Sequence, residues 1–434
     1  MVSSNKVAPL EVDFPFEILS YLIPVIPYRE YPHAIIDEEK GVKLSVKQYI
    51  PHRTTDSSNE EAPLTIIAAG GLGFPKELYE PLFEELLHRA RSCGVTIRSI
   101  WIADMFNLGE SGVVNQDNLG CDAAWIDHSR DLWSMINHFS ELMPKPIIGL
   151  GHSMGCNQLL CLASWHPTLF HSFAFIEPGI DLHYGRGIEI PWLLRVLKQN
   201  ETWKTRQEAE EGVVNVQGAQ FWNEKAIIRL KRYGVFWKRT PQEDCWIPTS
   251  PKNQTAVLVS RHNPGNIGFG PSGLDEVTLS QREAVPDSDP SISTVGPFYR
   301  RELKLGWDML PSMRPWVLYI NGGNSPFFGH PDTQKERARL TGIGPGGNGG
   351  MRLGAVKQIV IENGEHTIPF DKNLTKVAHH VADWLATESR RWVDGPMKRR
   401  QVWQNQSIEE KQSVGKDYIS ALVDMKKGNR ATKL

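Results

Sequence analysis

Cysteine is scarce in this chain, and no two cysteines are spaced as a pair. Cys93, Cys121, Cys156, Cys161 and Cys245 are an odd five in 434 residues without a C-x-x-C motif, which argues against a disulfide framework and a zinc site and for a reducing, non-secretory compartment. Long hydrophobic runs are missing as well. The most apolar N-terminal stretch, residues 14–26, is broken by Pro15, Glu17 and Pro24 and has no small-residue cleavage site, so neither a membrane span nor a leader is expected. It reads as an arm packing on the body or on the second subunit of a homodimer. Without a leader, the sequons at Asn200, Asn253, Asn373 and Asn405 carry no expectation of glycosylation. An excess of either charge is lacking too: 48 Lys and Arg against 50 Asp and Glu leave a formal net charge of −2, with no basic field for nucleic acid.

What remains is an ordinary globular composition, 40% hydrophobic and 23% charged, arranged as alternating apolar runs and amphipathic segments. That alternation predicts an α/β fold, a mostly parallel sheet with helices on both faces. Eight strands are expected, at 33–37, 43–49, 64–69, 96–103, 146–151, 172–177, 315–321 and 357–362. Leu78, Leu82, Leu86 and Leu87, then Leu132, Ile136 and Phe139, then Val377, Val381, Trp384 and Leu385 recur at helical spacing and are expected to face the core. Residues 178–314 interrupt the alternation with Pro-rich sequence and Trp192, Trp203, Trp222, Trp237, Trp246 and Trp307, which reads as an inserted cap. Those rings line an apolar substrate pocket or form the cap's own core. The expected organisation is an arm (1–30), a core (31–177 and 315–396), the cap (178–314) and a basic tail (397–434). The glycine-rich run 342–350 lacks the Lys-Ser/Thr of a phosphate loop and reads as a flexible linker.

The chemistry centres on Gly151-His152-Ser153-Met154-Gly155, a G-x-S-x-G motif directly after a strand-length apolar run. Strand, serine between glycines, then helix is a nucleophile elbow, which exposes the Ser153 hydroxyl on a strained turn. A serine hydroxyl needs a base, an acid to hold that base, and donors for an oxyanion. His366 is the expected base, because Asn363-Gly364-Glu365-His366 follows the last strand, where this chain order requires it. His152 is expected to point away, and His128, His138, His379 and His380 fall on helices. The acid is displaced: Asn321-Gly322-Gly323-Asn324-Ser325-Pro326, in its usual place, contains no carboxylate, whereas Glu177 ends the preceding strand. Glu177 is the expected acid, with Asp181 and Asp332 as alternatives. Ala69-Gly70-Gly71-Leu72-Gly73-Phe74 follows the third strand, so the N–H groups of Leu72 and Met154 are the expected oxyanion hole. No cofactor and no metal site is read from the sequence.

Several longer stretches carry a resemblance: Gly73-Phe74-Pro75-Lys76-Glu77-Leu78-Tyr79-Glu80-Pro81-Leu82, Ile100-Trp101-Ile102-Ala103-Asp104, Asp127-His128 with Arg130-Asp131-Leu132, Ile136-Asn137-His138-Phe139, the elbow, and residues 344–350. Over most of its length the chain resembles a fungal group of α/β-hydrolases that includes the peroxisomal acyl-CoA hydrolase of mycophenolic acid biosynthesis and hydrolases of AK-toxin-type clusters. The resemblance implies an α/β-hydrolase fold and a Ser-acid-His hydrolase acting on a secondary-metabolite acyl-CoA, with the acid on the strand end of Glu177. This chain departs at Glu177, where the mycophenolic member has Asp, at Gly70, where it has His, and at Cys156, where it has Gly. The tail ends Thr432-Lys433-Leu434, one substitution from S-K-L, so a peroxisomal import receptor is the expected partner and the cytoplasm the alternative location. An oxygen-ester hydrolase, lactonase or acyltransferase would use the same three residues, and a ligand-binding pseudoenzyme is the non-enzyme reading. Coenzyme A phosphates would need Arg or Lys near the mouth, for which Arg186, Lys204 and Arg301 are unranked candidates.

Overall fold

Ten residues from Phe16 to Val25 pair along their whole length with Val42–Pro51, and this antiparallel pair opens the main sheet. A computed structural model describes residues 5–52, 62–182, 190–239, 244–259, 261–262, 298–326 and 330–428. Its strands are β1 (Asn5–Val7), β2 (Phe16–Val25), β3 (Val42–Pro51), β4 (Leu64–Ala69), β5 (Ile97–Ala103), β6 (Ile147–His152), β7 (Ser172–Ile176), β8 (Val235–Lys238), β9 (Cys245–Pro248), β10 (Arg261–His262), β11 (Phe298–Tyr299), β12 (Trp316–Gly322) and β13 (Val356–Ile361). Nine form one sheet in the order β1-β2-β3-β5-β4-β6-β7-β12-β13, while β8 with β9 and β10 with β11 make separate ribbons. From β5 to β13 neighbouring strands of the sheet are parallel. The register sets His152 beside Ile176, Ile176 beside Ile320, and Gly322 beside Ile361, so the carboxyl ends of β6, β7, β12 and β13 form one edge. Ligand sites of open parallel sheets lie outside such an edge.

The mostly parallel α/β sheet is as expected, with two differences at its start. Residues 33–37 are not a strand and contribute an isolated bridge from Ile35 to Leu119. The stretch read as an arm is instead β2. Its period-two pattern is hidden because the strand changes faces: Phe16 and Ile18 join one apolar cluster, and Tyr21, Ile23 and Val25 join the other. Pro24 is tolerated because β1 pairs only with Ile18, Leu19 and Ser20, leaving that stretch of β2 an edge.

The central strands are buried on both faces. Along β4, Ile66 and Ala68 pack in one cluster while Ile67 and Ala69 pack in the other. The helical-spacing residues Leu82, Leu86, Leu132, Val377, Val381 and Leu385 are buried as their periodicity requires. Between β7 and β12, which are hydrogen-bonded neighbours, the chain makes an excursion containing the helices Ile190–Leu197, Arg206–Gln217, Glu224–Tyr233, Lys252–Val259 and Arg301–Met309. The run 342–350 is not a loose linker. Gly342 N–H donates to Leu310 O and Asn348 N–H to Met313 O, at 2.8 and 2.9 Å, and the Asn348 amide donates to Pro315 O at 2.7 Å, which pins the turn below β12.

By its internal contacts the chain divides into two units, Met1–Ala386 and Thr387–Leu434. The second contains the helices Lys398–Asn405, Ile408–Gln412 and Lys416–Gly428, with Trp403, Ile419 and Leu422 exposed. Residues 432–434 lie outside the described residues, and no described helix is long and apolar enough to cross a membrane.

The long motif at 73–82 builds a buried charge network beneath the turn that follows β4. Lys76 Nζ lies 2.7 Å from Asp104, 3.1 Å from Glu77 and 2.9 Å from Glu110, and Lys47 lies 3.1 Å from Glu77. Burial opposes the Lys76 charge, but the carboxylates of Asp104, Glu77 and Glu110 outweigh it and hold its pKa well above the usual lysine range. Arg229, from the excursion, reaches Glu80 at 3.0 Å and also pairs with Glu11. Removing one partner of such a pair strands a buried charge, which makes the network a clamp on the turn above it.

His128 is a separate buried group, in the helix Trp125–His138. Burial, and after it the charge of Arg29, pushes its pKa from 6.5 down to about 3. The folded protein therefore keeps His128 neutral while the unfolded chain takes up a proton below pH 6.5, so stability falls as pH drops from 6.5 toward 3. Between pH 7.5 and pH 5 the wild type is expected to lose about 2 kcal/mol more than His128→Gln, as measured by urea unfolding at the two pH values. Equal losses would show that His128 takes up its proton alike in both states.

Candidate active site

Ser153 sits at the end of β6 with a φ of 53°, in the left-handed region, as an elbow demands. Its N–H donates to Ile176 O at 2.9 Å and its carbonyl accepts from Gly179 N–H at 2.8 Å, so the neighbouring strand end holds the strained turn. The helix Met154–Trp165 starts immediately after. A Cβ on Gly155 would lie 2.1 Å from Ala69 O, which is why the second glycine of the motif is required.

The structure brings Ser153, Glu177 and His366 together. His366 Nε2 lies 2.8 Å from Ser153 Oγ, and His366 Nδ1 lies 3.1 Å from Glu177 Oε2. Ser153 is 7% exposed, the His366 side chain 14%, and Glu177 is fully buried. Glu177 also has a positive φ, 49°, and such a non-glycine residue costs about 1–3 kcal/mol that the surroundings must offset. Three contacts hold it there. Glu177 N–H donates to Ile320 O at 2.8 Å, Gly322 N–H donates to Glu177 Oε1 at 2.5 Å, and the next turn is tied down by Arg337. Fully buried, Arg337 donates to Ile180 O at 2.9 Å and to Pro178 O at 3.3 Å. Gly322, the last residue of β12, thus supplies a backbone donor to the carboxylate of Glu177, which follows β7. The end of β12 and the turn after it also hold the loop that carries His366: Asn324 N–H donates to Gly364 O at 2.8 Å, and a Cβ on Gly322 would lie 2.5 Å from that same oxygen.

The alternative acids lie elsewhere. The Asp332 side chain is 84% exposed in the helix Pro331–Leu340, and Asp181 is buried where its charge acts on Arg337. The N–H groups of Leu72 and Met154 have no acceptor among the described residues. Cys156, one of the departures, packs beneath the elbow with its thiol 3.5 Å from Ile176 O, and burial pushes the thiol pKa up, leaving it unreactive.

His152 has buried partners of its own, which its place in the elbow does not reveal. Its ring is hydrogen-bonded to Tyr79 Oη at 2.8 Å and to the His366 carbonyl at 3.0 Å. Tyr79 lies in the long 73–82 motif, which was the available signal; Arg337 had none, being one of several charged residues in its helix. Among the cap tryptophans, Trp222 joins the aromatic set beside this network, 5.8 Å from Phe74 and 5.2 Å from Phe370. Trp203 bridges Trp246, and Trp246 packs 5.4 Å from Trp237; Trp203 is buried in the apolar cluster it shares with the main sheet, whereas Trp237 is exposed. Arg301 lies 3.6 Å from Glu30, Lys204 is exposed, and Arg186 falls outside the described residues.

No protein-family model matches the chain. It is 34% identical over 404 residues to a type I acyl-CoA thioesterase, mpaH, of Penicillium roqueforti, covering 87% of this chain and 89% of that protein. It is 33% identical over 401 residues to the type I acyl-CoA thioesterase mpaH' of Penicillium brevicompactum, with the same coverage. A shorter match, 26% over 165 residues, spans 37% of this chain and 43% of the peroxisomal membrane protein LPX1 of Saccharomyces cerevisiae. The solved structure of the yeast peroxisomal alpha-beta-hydrolase Lpx1 superposes with a TM-score of 0.63 at 15% identity, covering 91% of this chain and 99% of that one, which shows the α/β-hydrolase fold.

Proposed function

Because this chain belongs to the α/β-hydrolase family of fungal type I acyl-CoA thioesterases, we propose that it hydrolyses a secondary-metabolite acyl-CoA through Ser153, His366 and Glu177. His366 Nε2 takes the Ser153 proton as Oγ bonds to the thioester carbonyl carbon. Glu177 accepts from Nδ1–H and balances the imidazolium charge. The carbonyl oxygen becomes an oxyanion facing the N–H groups of Leu72 and Met154. Collapse breaks the C–S bond, His366 returns the proton to the departing thiolate, and a water activated by the same imidazole frees the acid and restores Ser153. The observation that carries this reading is the continuous contact from Ser153 through His366 to Glu177, at 2.8 and 3.1 Å.

The peroxisome is the proposed compartment, supported by the peroxisomal relative in yeast. The test is a substrate panel, with free thiol release followed from acyl-CoAs of differing chain and ring content beside aryl esters and lactones. Thioester turnover is expected to exceed ester turnover by at least about tenfold in kcat/KM, the span that differential binding of one substrate portion supplies. The reverse order would move the assignment to a carboxylesterase or lactonase.

A further inference from the structure

Three hydrogen bonds outside the Ser153, His366 and Glu177 set join the two loops that flank the nucleophile. Gly71 N–H donates to Tyr79 Oη at 2.6 Å, Tyr79 Oη lies 2.8 Å from His152 Nδ1, and His152 Nε2 lies 3.0 Å from the His366 carbonyl oxygen. One proton arrangement satisfies all three. A carbonyl has no proton to give, so His152 Nε2 carries the hydrogen and donates it. In a neutral ring Nδ1 is then bare, and Tyr79 donates to it while accepting from Gly71. The ring is 1% exposed, and burial, followed by the nearby His366, pushes its pKa down to about 3, which keeps it neutral. Phe74 stacks on it at 5.9 Å and Phe370 meets it edge-on at 5.4 Å, so its plane is held as well.

The ends of this chain of bonds give it a role. One end is Gly71, the residue before Leu72; the other is the backbone of His366. Glu177 and Ser153 fix the His366 imidazole, but its main chain follows Asn363, which has a φ of 57°, and Gly364, and has no strand to set its height. We propose that Tyr79 and His152 are positioning residues that lock the base loop to the oxyanion loop, so that His366 and the Leu72 N–H keep one spacing through both halves of turnover. This rests on the reading of Ser153 as nucleophile and His366 as base.

Two substitutions at one position divide the chain. His152→Asn keeps an acceptor for Tyr79 but has no donor that reaches His366, whereas His152→Gln keeps that donor and gives up the acceptor. His152→Asn is expected to lower kcat about tenfold, the effect of one buried hydrogen bond, with KM within about twofold. The rate of Ser153 labelling by a fluorophosphonate should fall by the same factor. His152→Gln breaks the same chain at its Tyr79 link and should lose kcat to a similar extent, with both variants melting at the same temperature. Combining Tyr79→Phe with His152→Asn should cost no more than the larger single loss, because both break the same chain. Wild-type kcat in either the Asn or the Gln variant, losses that track the melting temperature, or additive losses in the double variant would overturn the proposal. Ser153→Ala separates the two levels: activity in that variant removes the nucleophile reading, whereas its inactivity beside a fully active His152→Asn removes the coupling alone.

Discussion

Ser153→Ala is expected to lower kcat for acyl-CoA hydrolysis by about 10⁴-fold or more, the range seen when the nucleophile of such a set is removed. The size of the effect follows from covalent catalysis. Without Oγ no acyl-enzyme forms, and His366 can only activate water against a carbonyl placed for a different attacking atom. What survives is the contribution of the oxyanion donors and binding, roughly 10³–10⁴ over solution. Alanine at a φ of 53° is as strained as serine, and the Ser153 backbone bonds to Ile176 and Gly179 do not use the side chain, so the variant should fold. Thiol release in single turnover, with KM measured alongside, is the check. Activity within tenfold of wild type would mean that the reaction runs without this hydroxyl.

Glu177→Gln carries the second large effect, a kcat loss of about 10³–10⁴-fold. The two carboxylate oxygens each face a donor, Gly322 N–H at 2.5 Å and His366 Nδ1 at 3.1 Å. Glutamine has one acceptor and one amide group, so whichever way it turns, a donor meets a donor. If the amide faces His366, the ring adopts the tautomer that leaves Nε2 protonated and unable to take the Ser153 proton. The negative charge that balances the imidazolium is lost as well. Asp332→Asn should leave kcat unchanged, since that side chain is 84% exposed on the helix Pro331–Leu340. The paired kcat measurements assign the acid: a Glu177→Gln enzyme above a tenth of wild-type activity, beside an inactive Asp332→Asn or Asp181→Asn enzyme, would transfer the role.

Legibility differed by the range of the interactions involved. The elbow could be read because its demands are local: Gly155 must lack a Cβ where Ala69 passes, and Ser153 must accept a positive φ. Helix faces such as Leu82 and Leu86 could be read for the same reason, their period being set within one element. Strand β2 escaped because its apolar residues switch faces in mid-strand, which matters only once β3 lies beside it. The turn at 342–350 looked like a linker because the acceptors that order it, Leu310 and Met313, are some thirty residues away in sequence.

The amino-acid sequence by itself determined the order of the parts: strand, serine turn, a carboxylate at the end of the next strand, and a histidine after the last. These follow from φ preferences, hydrophobic period and residue chemistry, which act over a few neighbours. Only the tertiary structure decided how far apart the parts lie. That Glu177 rather than Asp181 or Asp332 meets His366, that Gly322 steadies it, and that His152 ties the base loop to Tyr79 all depend on the parallel register of β6, β7, β12 and β13. Hydrogen bonds act over about 3 Å, so contacts spanning 145 to 214 residues of chain exist only after the sheet has brought the strand ends side by side.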